Sequence, residues 1–207
     1  MKRALLITLS LVLALAGWTT VCADDGFYVI GASRKNYAPV PKTGQTASYD
    51  QNIPPKDDGA LQKGVTSPTP RFTDNGNGTV TDKLTGLIWM QNANAFGTKN
   101  WADALSAAND LKSDDLGTGL TDGSKAGDWR LPNARELHSL VDYGRFEPAL
   151  PEGHPFTGVE SSFYWSSTSY QDNANAAYYM DLADGDLIGF DGLKSNSYYL
   201  WCVRGGP

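Results

Sequence analysis

Two groups of aspartate and asparagine side chains have the residue types that could hold a calcium ion. The run Asp74-Asn75-Gly76-Asn77-Gly78 begins like a calcium-binding loop, which needs oxygen ligands at alternate positions and a glutamate at position twelve. Glycines fall at two of the ligand positions and Thr85 stands at position twelve, so a tight hairpin turn explains the run better. Asp184 and Asp186 are the candidate metal ligands of the second group, and a solvated turn also explains them. The sequence therefore predicts no bound cofactor.

One cysteine and two histidines have the chemistry for thiol catalysis. Such a site needs a cysteine whose pKa is lowered and a base within hydrogen-bond reach, and His138 and His154 are the available bases. Cys202 lies between Trp201 and Val203 in a predicted strand, where a free cysteine is usually an inert apolar residue. No serine-hydrolase, zinc-protease or phosphate-loop motif occurs in the chain. We therefore predict that there are no catalytic residues and that the protein is not an enzyme.

Aromatic side chains crowd the C-terminal third of the chain. In a β-strand every second side chain faces away from the core, so some of these rings are expected at the surface. Exposed aromatic rings among serine, asparagine and aspartate side chains suit the binding of a sugar or a protein. The candidate ligand-binding residues are Tyr164, Tyr170 and Tyr179. The alternative is that loops cover both faces of the strands.

The elements that must position these side chains are mainly short β-strands. Asn-Gly pairs at 75–76 and 77–78 predict a hairpin, and Leu87–Met90 is apolar on both faces, which favours a central strand. The last strand is predicted to bring Tyr199, Trp201 and Val203 onto one face. Strands are predicted at 71–73, 79–81, 87–90, 163–168, 177–183, 187–190 and 198–203.

Two helices are predicted in the middle of the chain. Asn100 caps the first, in which apolar residues from Trp101 to Leu111 recur at helical spacing. Asn133 caps the second, with Glu136 at the third helical position, and this helix is predicted to continue to Tyr143. Two helices with an antiparallel β-sheet and long loops indicate the α+β class.

The first 23 residues have the pattern of a secretory signal peptide. Lys2 and Arg3 precede an apolar run over Ala4–Trp18, and small residues end the segment at Ala23. Removal of Lys2 and Arg3 takes the formal net charge from −6 to −8 and leaves Cys202 as the remaining cysteine. An acidic chain without a basic block binds nucleic acid poorly. We predict export to the periplasm, cell surface or medium, with no nucleic-acid partner and no stable membrane span after cleavage.

A series of short motifs in fixed order resembles the Lcl C-terminal domain family, a domain-of-unknown-function family of exported bacterial proteins. The match spans about residues 38–205, so it implies one domain over 38–207 and a flexible tail over 24–37. It also favours an arm over residues 38–70 that packs on the domain, rather than a free stalk. The spaced apolar residues expected to anchor that arm are Tyr37, Val40, Tyr49, Ile53, Leu61 and Val65. The motifs are 43–46 (TGQT), 58–64 (DGALQKG), 72–82 (FTDNGNGTVTD), 85–89 (TGLIW), 128–133 (DWRLPN), 136–137 (EL), 164–167 (YWSS) and 202–205 (CVRG).

This resemblance implies a C-type-lectin-like fold. Arg130-Leu131-Pro132 before a helix with Glu136, and a closing strand that ends in Val203-Arg204, are similar to the formylglycine-generating-enzyme branch of that group. That activity needs a pair of cysteines, which the exported chain lacks. The family's namesake is the terminal domain of a trimeric collagen-like adhesin that binds sulfated glycosaminoglycans. This chain has no Gly-X-Y tract and carries a net negative charge, which opposes binding of a polyanion.

The function favoured by these observations is an exported, non-catalytic binding module that recognises a glycan or an envelope ligand at the cell surface, as an adhesin does. One alternative is a structural or assembly component of the cell envelope, with an envelope protein as its partner. The other is an enzyme of the formylglycine-generating type with altered chemistry. The sequence leaves the oligomeric state open.

Overall fold

The computed structural model describes residues 19–23, 26–30 and 40–205, and the chain divides into two units, residues 1–40 and 41–207. In the first unit, strand β1 (Thr19–Ala23) pairs antiparallel with strand β2 (Gly26–Ile30). Most of the predicted signal peptide, residues 1–23, and of the predicted tail, residues 24–37, lies outside the described residues, so both stay predictions. Within the described ranges, no helix has the length and apolar character needed to cross a membrane.

A four-stranded antiparallel sheet begins the second unit. It contains β3 (Phe72–Asp74), β4 (Thr79–Asp82), β5 (Leu87–Met90) and the last strand of the chain, β11 (Val203–Gly205), in the order β11-β5-β4-β3. The predicted hairpin is confirmed, because Gly76 and Gly78 adopt the positive φ angles that such a turn requires. The apolar strand β5 is interior to this sheet, as its composition predicted.

A second sheet has five strands and includes most of the C-terminal aromatic residues. The chain order is β6 (Thr98–Lys99), β7 (Phe163–Ser169), β8 (Ala177–Asp181), β9 (Asp186–Ile188) and β10 (Tyr198–Tyr199). The spatial order is β6-β10-β7-β8-β9, and β10 runs parallel to β7 while the other neighbours are antiparallel. The short edge strand β6 was not predicted, because two residues give no periodic signal.

The predicted final strand over 198–203 is wrong. The chain instead leaves the five-stranded sheet after Tyr199, passes through three buried residues, and enters the four-stranded sheet at Val203. Trp201 lies at this crossing, and its indole N–H donates to the carbonyl oxygen of Met90 at 2.7 Å. Its ring also lies 5.6 Å from Trp89 and 4.7 Å from Phe156, between ring centroids. Trp201 therefore joins the two sheets rather than extending one of them.

Both predicted helices form, but the second is short. Helix α2 (Trp101–Asp110) begins at Asn100, whose side chain accepts a hydrogen bond from the Asp103 backbone N–H. Helix α3 (Ala134–His138) begins with the complete capping box predicted for Asn133 and Glu136, yet it ends five residues before Tyr143. Leu140 and Val141 are buried after the helix has ended. Their apolar character therefore reflects burial and does not show that the helix continues.

The segment over residues 41–70 is held by polar contacts rather than by apolar anchors. Tyr49, Ile53, Leu61 and Val65 were expected to anchor a packed arm, but all four are exposed, and Ile53 is 99% exposed. Tyr37, proposed with them, lies outside the described residues, and Val40 belongs to the other unit and is exposed. The apolar-anchor interpretation is therefore corrected.

One carboxylate organises much of this polar segment. Asp57 caps the unpredicted helix α1 (Asp58–Leu61) through the Ala60 N–H, and it also accepts hydrogen bonds from the Ser48 hydroxyl and the Tyr49 N–H, both at 2.7 Å. Hydrogen bonds of this kind require no periodic apolar pattern, which is why the sequence did not reveal the helix.

The α+β class is confirmed, with antiparallel and mixed sheets and few helices in the described part of the chain. Four fully buried tryptophans provide the largest side chains of the core: Trp89, Trp129, Trp165 and Trp201. Three of them donate a hydrogen bond from the indole N–H to another group of the protein. Trp129 donates to the Ser124 hydroxyl, Trp165 to the Lys99 carbonyl and Trp201 to the Met90 carbonyl. Buried tryptophans with satisfied N–H groups fix both the packing and the orientation of the strands.

The position of Trp201 between the two sheets predicts a large contribution to stability. Replacing Trp201→Ala should lower the free energy of unfolding by about 3–5 kcal/mol, because it leaves a cavity between the sheets and an unpaired Met90 carbonyl. Urea denaturation followed by circular dichroism measures this change. Leu116→Ala, at a fully exposed loop position, is the matched control and should change stability by less than about 0.5 kcal/mol. A loss below about 1 kcal/mol for Trp201→Ala would contradict the structural role.

Candidate functional site

The three tyrosines predicted as a binding surface do not lie together at the surface. Tyr164 and Tyr179 are buried, and Tyr170 is partly exposed. Tyr164 packs near Tyr199 and Trp201, and its hydroxyl accepts a hydrogen bond from the Glu160 N–H at 2.9 Å. The predicted exposed surface is therefore corrected, because Tyr164 and Tyr179 lie in the core.

One exposed ring and two partly exposed rings do occur in this region, from Tyr170 and two residues that were not singled out. Tyr178 is partly exposed and its ring centroid lies 5.6 Å from that of Tyr170, at an interplanar angle of 74°. Phe190, in the loop after β9, is 72% exposed. We name Tyr170, Tyr178 and Phe190 the aromatic patch. Strand alternation distinguishes Tyr178 from its buried neighbour Tyr179, but the sequence does not say which side is covered.

Gly189 allows the loop to approach the two tyrosines closely. A Cβ atom at this position would lie 2.6 Å from a Tyr178 ring carbon and 2.7 Å from a Tyr170 ring carbon, closer than such atoms approach each other. Only a residue without a side chain fits there, so the glycine lets the backbone before Phe190 lie against both rings.

The backbone around the patch is fixed by hydrogen bonds between two loops. The Tyr170 N–H donates to the Ala176 carbonyl at 2.9 Å, which closes the turn between β7 and β8. The Ala177 N–H donates to the Gly192 carbonyl at 2.9 Å, which ties the loop after β9 to the start of β8. The aromatic patch therefore lies on strand ends and tied loops rather than on a free loop.

Lys194 connects the patch to the rest of the domain. Its ammonium group donates to the Ser169 hydroxyl and to the Ala174 carbonyl, each at 2.9 Å. It also lies 4.1 Å from the ring centroid of Trp101, which is a cation–π distance. The Trp101 indole N–H in turn donates to the Ser166 carbonyl in β7, at 2.8 Å. This lysine thereby holds the β7–β8 turn against helix α2.

An exposed aspartate follows two of the patch residues closely in the sequence. Asp191 follows Phe190 directly, is exposed, and accepts a hydrogen bond from the buried Tyr179 hydroxyl at 2.7 Å. Burial, together with this nearby carboxylate, raises the pKa of Tyr179, so its hydroxyl stays protonated and keeps donating. Asp172, two residues after Tyr170, is also exposed. Each of the two loops that carry the rings therefore contains an exposed aspartate, and the β7–β8 turn also holds the Lys194 ammonium group.

Apart from the aromatic patch, a shallow groove of about 370 Å³ lies beside helix α3. Arg130 and Glu136 form a bidentate ion pair in it, with both nitrogen–oxygen distances at 2.7 Å. Burial opposes ionisation of Glu136, but hydrogen bonds from Arg130 and the Asn133 N–H outweigh it and lower the pKa of the carboxyl. The groove is lined by Thr85, Leu87, Arg130, Asn133, Arg135, Glu136, Ser139 and Gly205.

The candidate metal ligands occupy ordinary turns. Asp184 and Asp186 are exposed between β8 and β9, and the Asp184 carboxylate accepts the Asp186 N–H at 3.2 Å. In the earlier hairpin, one Asp74 oxygen accepts the Gly76 N–H and the other accepts the Gln91 amide. Across the described ranges, no three or more histidine, cysteine, aspartate or glutamate side chains are grouped as metal ligands.

The cysteine and the two histidines considered for thiol catalysis lie in environments that suit a structural role. Cys202 is fully buried, and burial raises the pKa of its thiol. His138 lies 2.6 Å from the Tyr143 hydroxyl through Nε2. Burial lowers the pKa of His154, whose ring lies 5.6 Å from Phe156. The thiol environment is the reverse of the one that activates a nucleophile.

The ion pair at α3 predicts an acid-sensitive contribution to stability. Because the pKa of Glu136 is lowered in the folded state, its stabilising effect is present at neutral pH and is lost as the pH falls below about 4.5 towards the folded value. The stability difference between wild type and Glu136→Gln should therefore shrink between about pH 7 and about pH 3. Urea denaturation across this range measures it. Arg130→Met keeps the Glu136 carboxyl but removes its partner. The stability of this variant should therefore fall less between neutral and acid pH than the stability of wild type does. An unchanged difference would contradict the contribution of the pair.

The close approach at Gly189 predicts an effect of a single methyl group. Gly189→Ala should displace the Tyr170 and Tyr178 rings and lower stability by about 1–3 kcal/mol through overpacking. Near-ultraviolet circular dichroism reports the ring environments, and denaturation gives the stability. Ser195→Ala, at an exposed position in the same region, should leave both unchanged. Identical spectra for Gly189→Ala and wild type would contradict this packing.

Comparison with known sequences identifies the family. A search of curated proteins found no matching relative. The model of the Lcl C-terminal domain matches residues 78–204, which is more than half of the chain. The match includes α2, α3 and the aromatic patch, whereas the motifs before residue 78 lie outside it, so the proposal that residues 38–77 share this domain stays a prediction. Because the motifs in the sequence and this match agree, the chain belongs to the Lcl C-terminal domain family.

Proposed function

We propose that this domain is an exported, non-catalytic binding module that recognises a glycan through the aromatic patch. The observation that supports the proposal is the set of partly exposed rings Tyr170, Tyr178 and Phe190 on hydrogen-bonded strand ends. The C–H-rich face of a sugar ring packs on an aromatic face, and such packing needs rings that are exposed and already in place.

Polar groups beside the rings suit the hydroxyl groups of a sugar. Asp172 and Asn175 are exposed in the β7–β8 turn, and Asp191 is exposed beside Phe190. Carboxylate and amide oxygens accept hydrogen bonds from hydroxyl groups and so fix the orientation of a ligand whose ring stacks on an aromatic side chain. A C-type-lectin-like fold, which is part of this proposal, would be consistent with a ligand site built from C-terminal loops.

Export belongs to the same proposal. The signal-peptide pattern over residues 1–23 supports delivery to the periplasm, the cell surface or the medium, where envelope glycans are available for adhesion. The ligand would then be an envelope or surface saccharide rather than a nucleic acid, in keeping with the formal net charge of −6 for the full chain, which becomes −8 after removal of residues 1–23.

A second candidate function has a specific observation in its favour. Tyr49, Ile53, Leu61 and Val65 are exposed on the segment that Asp57 orders. Apolar side chains held outward on an ordered segment suit a protein interface. The alternative is therefore a structural component of the envelope that assembles with a protein partner.

The glycan proposal predicts a selective loss of binding. Tyr170→Ala and Phe190→Ala should each weaken binding to any glycan recognised on an array by about tenfold, which corresponds to about 1.4 kcal/mol, because each removes a stacking surface. Tyr49→Ala, at an aromatic residue exposed elsewhere, is the matched control and should bind as wild type does. Equal binding by all three variants, or a blank array with folded protein, would contradict the proposal.

A further inference from the structure

One loop near the start of the second unit presents an isoleucine to solvent. The Asp50 carboxylate bridges this loop, because it accepts hydrogen bonds from the Asn52 N–H at 2.9 Å and from the Lys56 N–H at 2.8 Å. Three apolar residues lie between these two donors, and the first of them, Ile53, is 99% exposed. We name residues 49–57 the Ile53 loop. Its backbone is ordered by a carboxylate while its apolar side chain stays in water.

A second carboxylate closes the base of the loop. Asp57 accepts hydrogen bonds from the Ser48 hydroxyl and the Tyr49 N–H, both at 2.7 Å, and these bonds lower the pKa of its carboxyl. The backbone hydrogen bonds to Asp50 lower its pKa in the same way, so both groups are ionised at neutral pH. Ile53 is therefore held in place for contact with an apolar surface, and the N–H groups that close the loop are already paired.

The groove beside helix α3 has an apolar lining residue next to a free positive charge. Leu87 lines it together with Arg130 and Arg135. Arg130 is neutralised by Glu136 at 2.7 Å, whereas Arg135 is exposed and forms no ion pair with any described residue. An apolar side chain that arrives with negative charge around it suits such a groove.

The Ile53 loop and the groove carry opposite net charge. Residues 50–58 contain three aspartates and one lysine, which leaves a formal charge of −2. The lining of the groove contains two arginines and one glutamate, which leaves +1. Opposite charges across an interface favour encounter and fix the register, while burial of an exposed apolar side chain supplies affinity.

The loop and the groove are both joined to the turn that follows α3. Ser139 lines the groove, and four residues later the Tyr143 N–H donates to the Thr43 carbonyl at 2.8 Å. The Thr43 hydroxyl donates to Asp58, which follows the carboxylate that closes the loop. Two complementary elements that are neighbours in one molecule can both meet their counterparts in a second molecule across a two-fold axis.

We propose that the occupant of the α3 groove is a second copy of this chain, with the Ile53 loop of each copy inserted into the groove of the other. The two contacts are identical, as a two-fold dimer requires. This inference is independent of glycan binding, because Tyr170, Tyr178 and Phe190 belong neither to the loop nor to the lining of the groove. It also specifies the protein partner of the second candidate function.

Sedimentation velocity of the folded protein, from about 1 to about 500 µM, tests the dimer. Two small contacts between charged elements should give a dissociation constant on the order of 10 µM. Added salt should raise this constant, because it screens the opposite charges of loop and groove. A protein that is monomeric over the whole range would overturn the inference.

One substitution on each side of the contact tests the location. Ile53→Asp removes the apolar side chain from the loop, and Arg135→Glu reverses the free charge of the groove. Each should raise the dissociation constant about tenfold or more. Leu116→Asp and Lys125→Glu make the same two changes at exposed positions outside both elements and should dimerise as wild type does. Equal losses in these controls would overturn the assigned contact.

Mixing the two variants tests whether the contact is reciprocal. A heterodimer of Ile53→Asp with Arg135→Glu keeps one intact contact, between the unchanged loop of one copy and the unchanged groove of the other. The equimolar mixture should therefore contain more dimer than either variant alone and less than wild type. A mixture no more dimeric than its components would overturn the proposal. A blank glycan array with an intact dimer would instead remove the glycan-binding function and leave this inference standing.

Discussion

Trp201 is the residue on which both sheets depend. It lies where the chain passes from β10 in the five-stranded sheet to β11 in the four-stranded sheet. Its indole contacts Trp89, Phe156 and Tyr164, and its N–H reaches the Met90 carbonyl in β5. A buried tryptophan removes a large apolar surface from water, and its single donor adds a directional constraint. Together these fix how one sheet is placed against the other.

The aromatic patch depends on the same organisation at longer range. The Trp165 indole donates to the Lys99 carbonyl and the Trp101 indole to the Ser166 carbonyl, so β6, β7 and α2 are joined by two tryptophans. Lys194 then ties the β7–β8 turn to Trp101. Rings presented by such a connected scaffold lose little conformational entropy when a ligand binds, which favours recognition by a small set of contacts.

Local signals predicted the parts of the fold that local interactions determine. The Asn-Gly hairpin, the capping box at Asn133 and the apolar strand Leu87–Met90 all form as predicted. The passage of the chain from one sheet to the other at Trp201 was not predictable. The alternation of side chains along residues 198–203 is the same whether this segment pairs with one sheet or with two. The burial of Tyr164 and Tyr179 was missed for a similar reason, since it is set by distant elements that cover the strands. Phe190 was predicted within the strand over 187–190, whereas β9 ends at Ile188 and Phe190 lies in the loop that follows.

The proposed binding function requires a saccharide to contact Tyr170, Tyr178 and Phe190. Nuclear magnetic resonance of the aromatic side chains, recorded during titration with a saccharide that the folded domain binds on the array, measures this contact residue by residue. The proposed glycan binding predicts saturable shifts of these three rings, with the resonances of the α3 groove and of the exposed Tyr49 unchanged. Saturable shifts confined to the groove around Arg130, or to Tyr49, with the patch unaffected, would contradict it.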